Sequence, residues 1–205
     1  GMAAGANAGP LYFKAHLTHE QEVTPVPDEG SSGYARFVLN DTRTELSYRL
    51  ELTGLDLGRV DTTPGANYGN PSLAAPGTTS DPNDDALRIH IHRALIGLNG
   101  TIVFGMIDGT ATLRDDPDDL VINVAGLRVS GVWDLTEGSN GATLGTEIAN
   151  LLASGLYINV HTSDHGPGEI RGQITPAPEP ATLSMFGMGL LGMGMFGRRR
   201  AKKQS

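Results

Sequence analysis

Between Leu11 and Ile174 the chain alternates apolar and polar positions with a period of two, in one short run after another. "LYFKAHLT" is the first such run. In "SGYARFVLN", Tyr34, Arg36 and Val38 share one face and Ala35, Phe37 and Leu39 the other. Asn40 and Asp41 supply a turn, and "ELSYRLELTGL" then places Leu46, Tyr48, Leu50 and Leu52 together. Residues i and i+2 of a strand point to the same side, so these runs predict strands, and the polar turn predicts a hairpin. "ALRIHIHRA", "GTIVFGMI", "LRVSGVWDL", "GLYINVHTS" and "GEIRGQIT" continue the pattern. About eight short antiparallel strands predict an all-β domain, a Greek-key β-sandwich or barrel. Only 143–154, "TLGTEIANLLAS", has helical spacing, through Leu144, Ile148, Leu151 and Leu152, with Gly155 as its stop. The lone tryptophan, Trp133, is expected in the core.

Composition agrees with a turn-rich β domain. The 205 residues include 28 glycines and 12 prolines but few aromatics. A net charge of −8, with no basic stripe before the last few residues, argues against a nucleic-acid partner. There are no cysteines, which removes disulfides, thiolate ligands and thiol nucleophiles together. The Gly-, Pro- and Asn-rich stretch 61–85 predicts a surface excursion. The acidic stretch "RDDPDD" lacks the spacing of a calcium-binding loop and predicts a solvated surface. No serine sits in a nucleophile elbow.

The two ends stand outside this pattern. Residues 1–10 are expected to be a leader remnant or tag: Ala6-Asn7-Ala8 fits a leader cleavage site, and Gly1 before Met2 fits an expression scar. Residues 176–205 begin with an extended proline-rich linker. An uncharged run of 17 residues, 181–197, follows and reaches the lower length for a membrane-crossing helix. Arg198, Arg199, Arg200, Lys202 and Lys203 come next, which predicts that this end stays in the cytoplasm and the domain lies across the membrane. The order Pro178-Glu179-Pro180, apolar run, arginine cluster resembles the PEP-CTERM sorting signal. The resemblance implies export, an exosortase-type membrane protease as partner, and delivery to the surface or an exopolysaccharide matrix. It also implies a Gram-negative source and a mature chain that ends near Pro178.

The candidate chemistry lies in the histidines. His90 and His92 project from the same strand face, and Ile89 and Ile91 from the other. Two imidazoles so placed can grip one metal ion if a further ligand joins them. "NVHTSDHGPGEIRG" offers His161, with His165 or Asp164 as a fourth ligand or an acceptor behind the ligands. Copper or zinc suits such a set. The competing reading is that the imidazoles bond to backbone carbonyls and only hold loops together. Glu169 and Arg171 share a strand face and could pair.

A second resemblance covers nearly all of 11–174. Gln21-Glu22-Val23, His90-Ile91-His92, Asn99-Gly100, Asn159-Val160-His161-Thr162 and 168–173, "GEIRGQ", together resemble the CHRD domain first described in chordin. It implies an immunoglobulin-like or superoxide-dismutase-like sandwich, residues 11–175, in secreted and surface proteins. His16, His19, the 61–85 stretch and a long 106–145 region depart from the usual pattern. A looser likeness to copper/zinc superoxide dismutase maps its copper histidines and arginine onto His90, His92, His161 and Arg171. The bridging histidine, the zinc loop and the disulfide have no counterpart. Two functions therefore stand side by side: a non-enzymatic exported surface or matrix protein that can hold a metal through His90, His92, His161 and His165, or a copper/zinc redox protein.

Overall fold

The structure is a computed structural model and describes residues 9–57, 83–110, 113, 115–116 and 118–179. The 61–85 excursion, the leader and most of the tail, including Pro180 and Arg198–Arg200, lie outside the described residues, apart from 83–85 and 9–10.

Two antiparallel sheets pack face to face around one core. The larger has the order β10-β1-β2-β3-β7-β6, and the smaller β5-β4-β8-β9. The strands are β1 (Leu11–Leu17), β2 (Ser32–Leu39), β3 (Glu45–Thr53), β4 (Ala86–Arg93), β5 (Thr101–Ile107), β6 (Val121–Asn123), β7 (Arg128–Asp134), β8 (Leu156–Thr162), β9 (Ile170–Gln173) and β10 (Thr175–Ala177). The chain crosses between sheets after β3, β5, β7 and β9, and the return after β5 lays β7 beside β3, which is a Greek-key arrangement. The alternation read from the sequence holds. Ala35, Phe37, Leu39, Leu46, Tyr48, Leu50 and Leu52 are all buried. Trp133 is fully buried and stacks on Phe104 of the opposite sheet with ring centroids 4.8 Å apart. Its Nε1 donates to the Glu137 carbonyl, so the polar edge of the ring is not left without a partner.

One helix, α1 (Leu144–Leu152), sits where the leucine spacing predicted it. Thr143 and Thr146 form a capping box that satisfies the first turn. Leu144 and Leu151 enter the core. Three details differ from expectation. Pro176 and Ala177, read as the start of the linker, belong to β10 and pair with Phe13 and Tyr12 of β1, where proline fits an edge strand. The short strand β6 was not visible in the sequence, because three residues give too little alternation. The acidic stretch is not wholly a solvated surface. Asp115 is buried and accepts a hydrogen bond from the Tyr48 hydroxyl at 2.6 Å. Burial pushes its carboxyl up to about 8, the Tyr48 bond pulls the other way, and Asp119 and Glu137 push it further up.

The outer face of the smaller sheet is polar yet buried. Cross-strand register aligns Arg88 with His161, His90 with Asn159, His92 with Tyr157, and then Asn159 with Arg171 and Tyr157 with Gln173. This gives a polar ladder three strands wide, and His90, His92, Asn159, His161 and Arg171 in it are buried. A polar sheet face is buried only when something covers it. Here the covering loops are the 19–28 segment, with its 3-10 turn at His19–Gln21, and the 163–168 loop.

Candidate metal centre

His90 and His92 come from β4 and His161 from the neighbouring β8. The β4–β5 pairing has register shifts on either side of His90 and Ile91, and bulges of this kind re-aim side chains locally. The imidazole centroids stand 5.1 Å apart for His90 and His161, 5.7 Å for His90 and His92, and 6.0 Å for His92 and His161.

One nitrogen of each ring is fixed from behind. His92 Nδ1 donates to the Gly100 carbonyl at 3.0 Å, and His161 Nδ1 donates to the Gly166 carbonyl at 2.9 Å. His90 Nε2 meets the Asp108 carboxylate at 2.6 Å. A carbonyl oxygen only accepts, so Nδ1 of His92 and of His161 carries the proton. Their Nε2 atoms are then bare lone pairs while the rings are neutral. Burial lowers His92 to about 4, with neighbouring His90 and Arg171 adding to the effect and the Gly100 bond opposing it. Burial lowers His161 to about 3, with His90 next in weight and the Gly166 bond opposing. Asp108 is pushed up by burial, but the bonds from His90 and Thr110 outweigh this and hold it below its usual range.

The other nitrogens, His90 Nδ1, His92 Nε2 and His161 Nε2, are buried and have no hydrogen-bond partner. The three residues offer one ligand atom each within 4.8 Å of one another. The bare Nε2 lone pairs of His92 and His161 lie close together with no proton between them, and each unpaired buried group costs about 1–3 kcal/mol. A cation removes that cost. Imidazole nitrogens backed by a carboxylate or carbonyl are the usual form of histidine metal ligands. The set could hold a metal ion, for which neutral imidazole is a common donor.

Not every residue singled out in the sequence joins this group. His165 does not: its Nε2 stands 3.4 Å from Glu29 Oε1, without the alignment of a hydrogen bond. Asp164 is exposed on the rim and supports none of the three rings. Glu169 is buried, but among the described residues it makes no ion pair with Arg171. Arg171 instead donates to Leu98 O at 2.7 Å and Asn99 Oδ1 at 3.2 Å, and lies 3.4 Å over the Tyr157 ring. That ring stacks in turn on His92 at 4.9 Å, so Arg171 positions a ligand without touching it. The acceptor behind His90, Asp108, went unnoticed in the sequence. A strict β4–β5 pairing was the only signal that could have found it, and the bulges obscure that pairing.

A cavity of about 220 Å³ opens beside the cluster, lined by Glu22, His92, Tyr157, Asn159, His165 and Gly168 among others. Glu22 Oε1 and Asn159 Oδ1 are buried there without partners. Burial pushes the Glu22 carboxyl up to about 7 against the pull of Arg171. Gly168, at φ +140°, keeps the space between them: a Cβ there would lie 2.5 Å from Asn159 Nδ2 and 2.6 Å from Glu22 Oε1.

The family model of the CHRD domain matches residues 13–174. The chain belongs to the CHRD domain family. A second model, the PEP-CTERM protein-sorting motif, matches residues 176–200 and begins where the CHRD sandwich ends. The motif marks this CHRD protein as exported and as handled by an exosortase-type membrane enzyme. No curated protein and no solved structure matches the chain. Pro178 and Glu179 are exposed at the end of β10, open to such an enzyme. Among the described residues no helix is long and apolar enough to cross a membrane.

Proposed function

We propose that this protein is an exported surface or matrix module whose CHRD domain holds one copper or zinc ion on His90 Nδ1, His92 Nε2 and His161 Nε2. The observation that carries the reading is the set of three buried, unpartnered ring nitrogens, each backed by an acceptor on its ring's other nitrogen. When bound, the metal supplies positive charge that satisfies the three lone pairs. The chain's part is to hold His92 and His161 neutral and all three rings oriented. Asp108, Gly100 and Gly166 fix the tautomers, Tyr157 and Arg171 brace His92, and the covering loops limit water. The tail's apolar run, 181–197, anchors the precursor in the inner membrane until the Pro178-Glu179-Pro180 signal is processed. The released domain then associates with exopolysaccharide or other matrix components.

Elemental analysis of the purified protein, after chelation and reconstitution with copper or zinc, tests the metal reading. One equivalent is expected for the native chain and none for a His90→Ala/His92→Ala variant. Absence of metal from the reconstituted native chain sinks it. Fractionation of cells tests the sorting: the protein should leave the inner membrane only when the Pro178-Glu179-Pro180 motif is intact.

The cavity beside His92 favours a second reading, redox chemistry at an open metal position. Superoxide turnover by the copper-loaded protein would support it, and none above that of free copper would exclude it.

A further inference from the structure

The β4–β5 connection, "ALIGLNG" at 94–100, carries Leu95, Ile96 and Leu98 at 60%, 75% and 58% exposure. Three large apolar side chains on one tip are unusual, since monomeric proteins scatter such residues singly. The loop is also held firmly at its base. Arg171 donates to Leu98 O and Asn99 Oδ1, Gln173 Nε2 to Ala94 O, and Gly100 N to the Tyr157 hydroxyl. Leu98 N closes a turn on Leu95 O. The apolar tip is thus presented rather than collapsed. It bears no charge, and Arg93 at its foot is paired with Glu147 at 3.0 Å.

Strand direction says what the tip faces. β4 and β9 both run antiparallel to β8, so they run the same way and end at the same end of the sandwich. β10 continues β9, because β1 pairs along both in one register, from Thr18 with Arg171 to Tyr12 with Ala177. The tail therefore leaves the domain at the end that carries the 94–100 loop. The end of α1 lies there too, and Leu152 is 47% exposed. Only Pro178, Glu179 and Pro180 separate β10 from the apolar run at 181. An extended proline-rich linker rises about 3.1 Å per residue, so it holds the domain within roughly 12 Å of the point where the tail enters the bilayer. That is no more than about twice the depth of one headgroup layer, about 5–8 Å.

We infer that Leu95, Ile96 and Leu98 dock into the interface of the bilayer that holds the precursor's tail, and so orient the domain and present Pro178-Glu179-Pro180 at the membrane surface. The inference rests on the tail crossing a bilayer. Because the chain has no cysteine, single labels can be placed cleanly. Full-length Ile96→Cys and Thr53→Cys proteins, each carrying an environment-sensitive fluorophore, would be reconstituted into phosphatidylethanolamine/phosphatidylglycerol vesicles. Thr53 is exposed at the far end of β3 and serves as the reference.

The label at 96 should shift to the blue and lose about half or more of its emission to nitroxide-bearing lipid, while the label at 53 changes in neither respect. Adding Leu95→Ser and Leu98→Ser should abolish the response at 96 with the melting temperature unchanged. If the vesicles float with the protein but the label at 96 stays water-like and unquenched, the docking inference fails and the tail reading stands. If the protein does not float with the vesicles, both fail. A blue shift that grows with protein concentration and needs no lipid assigns the tip to a second copy of the chain and overturns the inference.

Discussion

Acidifying the metal-free protein from about pH 7 to about pH 5 should leave His92 and His161 uncharged, with Nδ1 protonated in both. An ordinary imidazole titrates near 6.5 and would be ~97% charged at the lower pH. His92 lies at about 4 and His161 at about 3. Those positions leave ~10% and ~1% charged at the same pH. The cause is burial first, so ring charging must wait for the site to open. The consequence for metal binding follows from proton competition. Two ordinary imidazole ligands would each forfeit ~25-fold in affinity over this range, about 600-fold together. His92 and His161 together should forfeit less than about twofold. Long-range proton–nitrogen correlation spectra read the tautomers and charges directly, and competition titrations with a metal chelator at both pH values read the affinity. Either ring titrating near 6.5, or carrying its proton on Nε2, would refute the reasoning. A fall of several hundredfold in affinity between the two pH values would do the same.

Removing the acceptor behind His90 by Asp108→Ala leaves a buried N–H unpaired. The variant should lose about 1–3 kcal/mol of stability in urea melts and weaken metal binding about 10–100-fold by calorimetry. Gly168→Ala puts a Cβ against Asn159 and Glu22 at a positive φ, and should destabilise by about 1–3 kcal/mol while shrinking the cavity; an unchanged melting curve would count against the packing described here. Asp115 titrates at about 8 when folded against an ordinary 3.8, so the folded state holds a proton that the unfolded state releases between these values. The contribution of Asp115 to native stability is therefore full in acid and falls as pH rises toward 8, by about 1.4 kcal/mol per pH unit. Asp115→Asn has no such proton to lose, so its stability relative to the native chain should rise steadily from about pH 5 to about pH 8. Parallel stability curves for the two proteins would contradict the burial assigned to Asp115.

The amino-acid pattern by itself determined the longer strands, the α-helix of the described residues and the sorting tail. These depend on local facts: a side-chain period of two in β1 to β3, leucines at helical spacing after Thr143, and an apolar run between Pro180 and Arg198. It also determined that His90 and His92 share a face, because that follows from strand geometry alone. Whether His161 meets them was a question of which strands pair. The sandwich decided it by placing β8 beside β4 in the register that sets His90 opposite Asn159. The rejection of His165 and Asp164, the recruitment of Asp108 and the Gly100 and Gly166 carbonyls, and the cavity with Glu22 were likewise tertiary decisions. Each depends on where a loop or bulge puts a backbone atom, and no sequence spacing encodes that. The proximity of the apolar tip and the sorting tail has the same origin. The two are some 80 residues apart in sequence, about 80 by the numbering of Ile96 and Pro178. They share one end of the fold only because β4 and β9 run the same way on either side of β8.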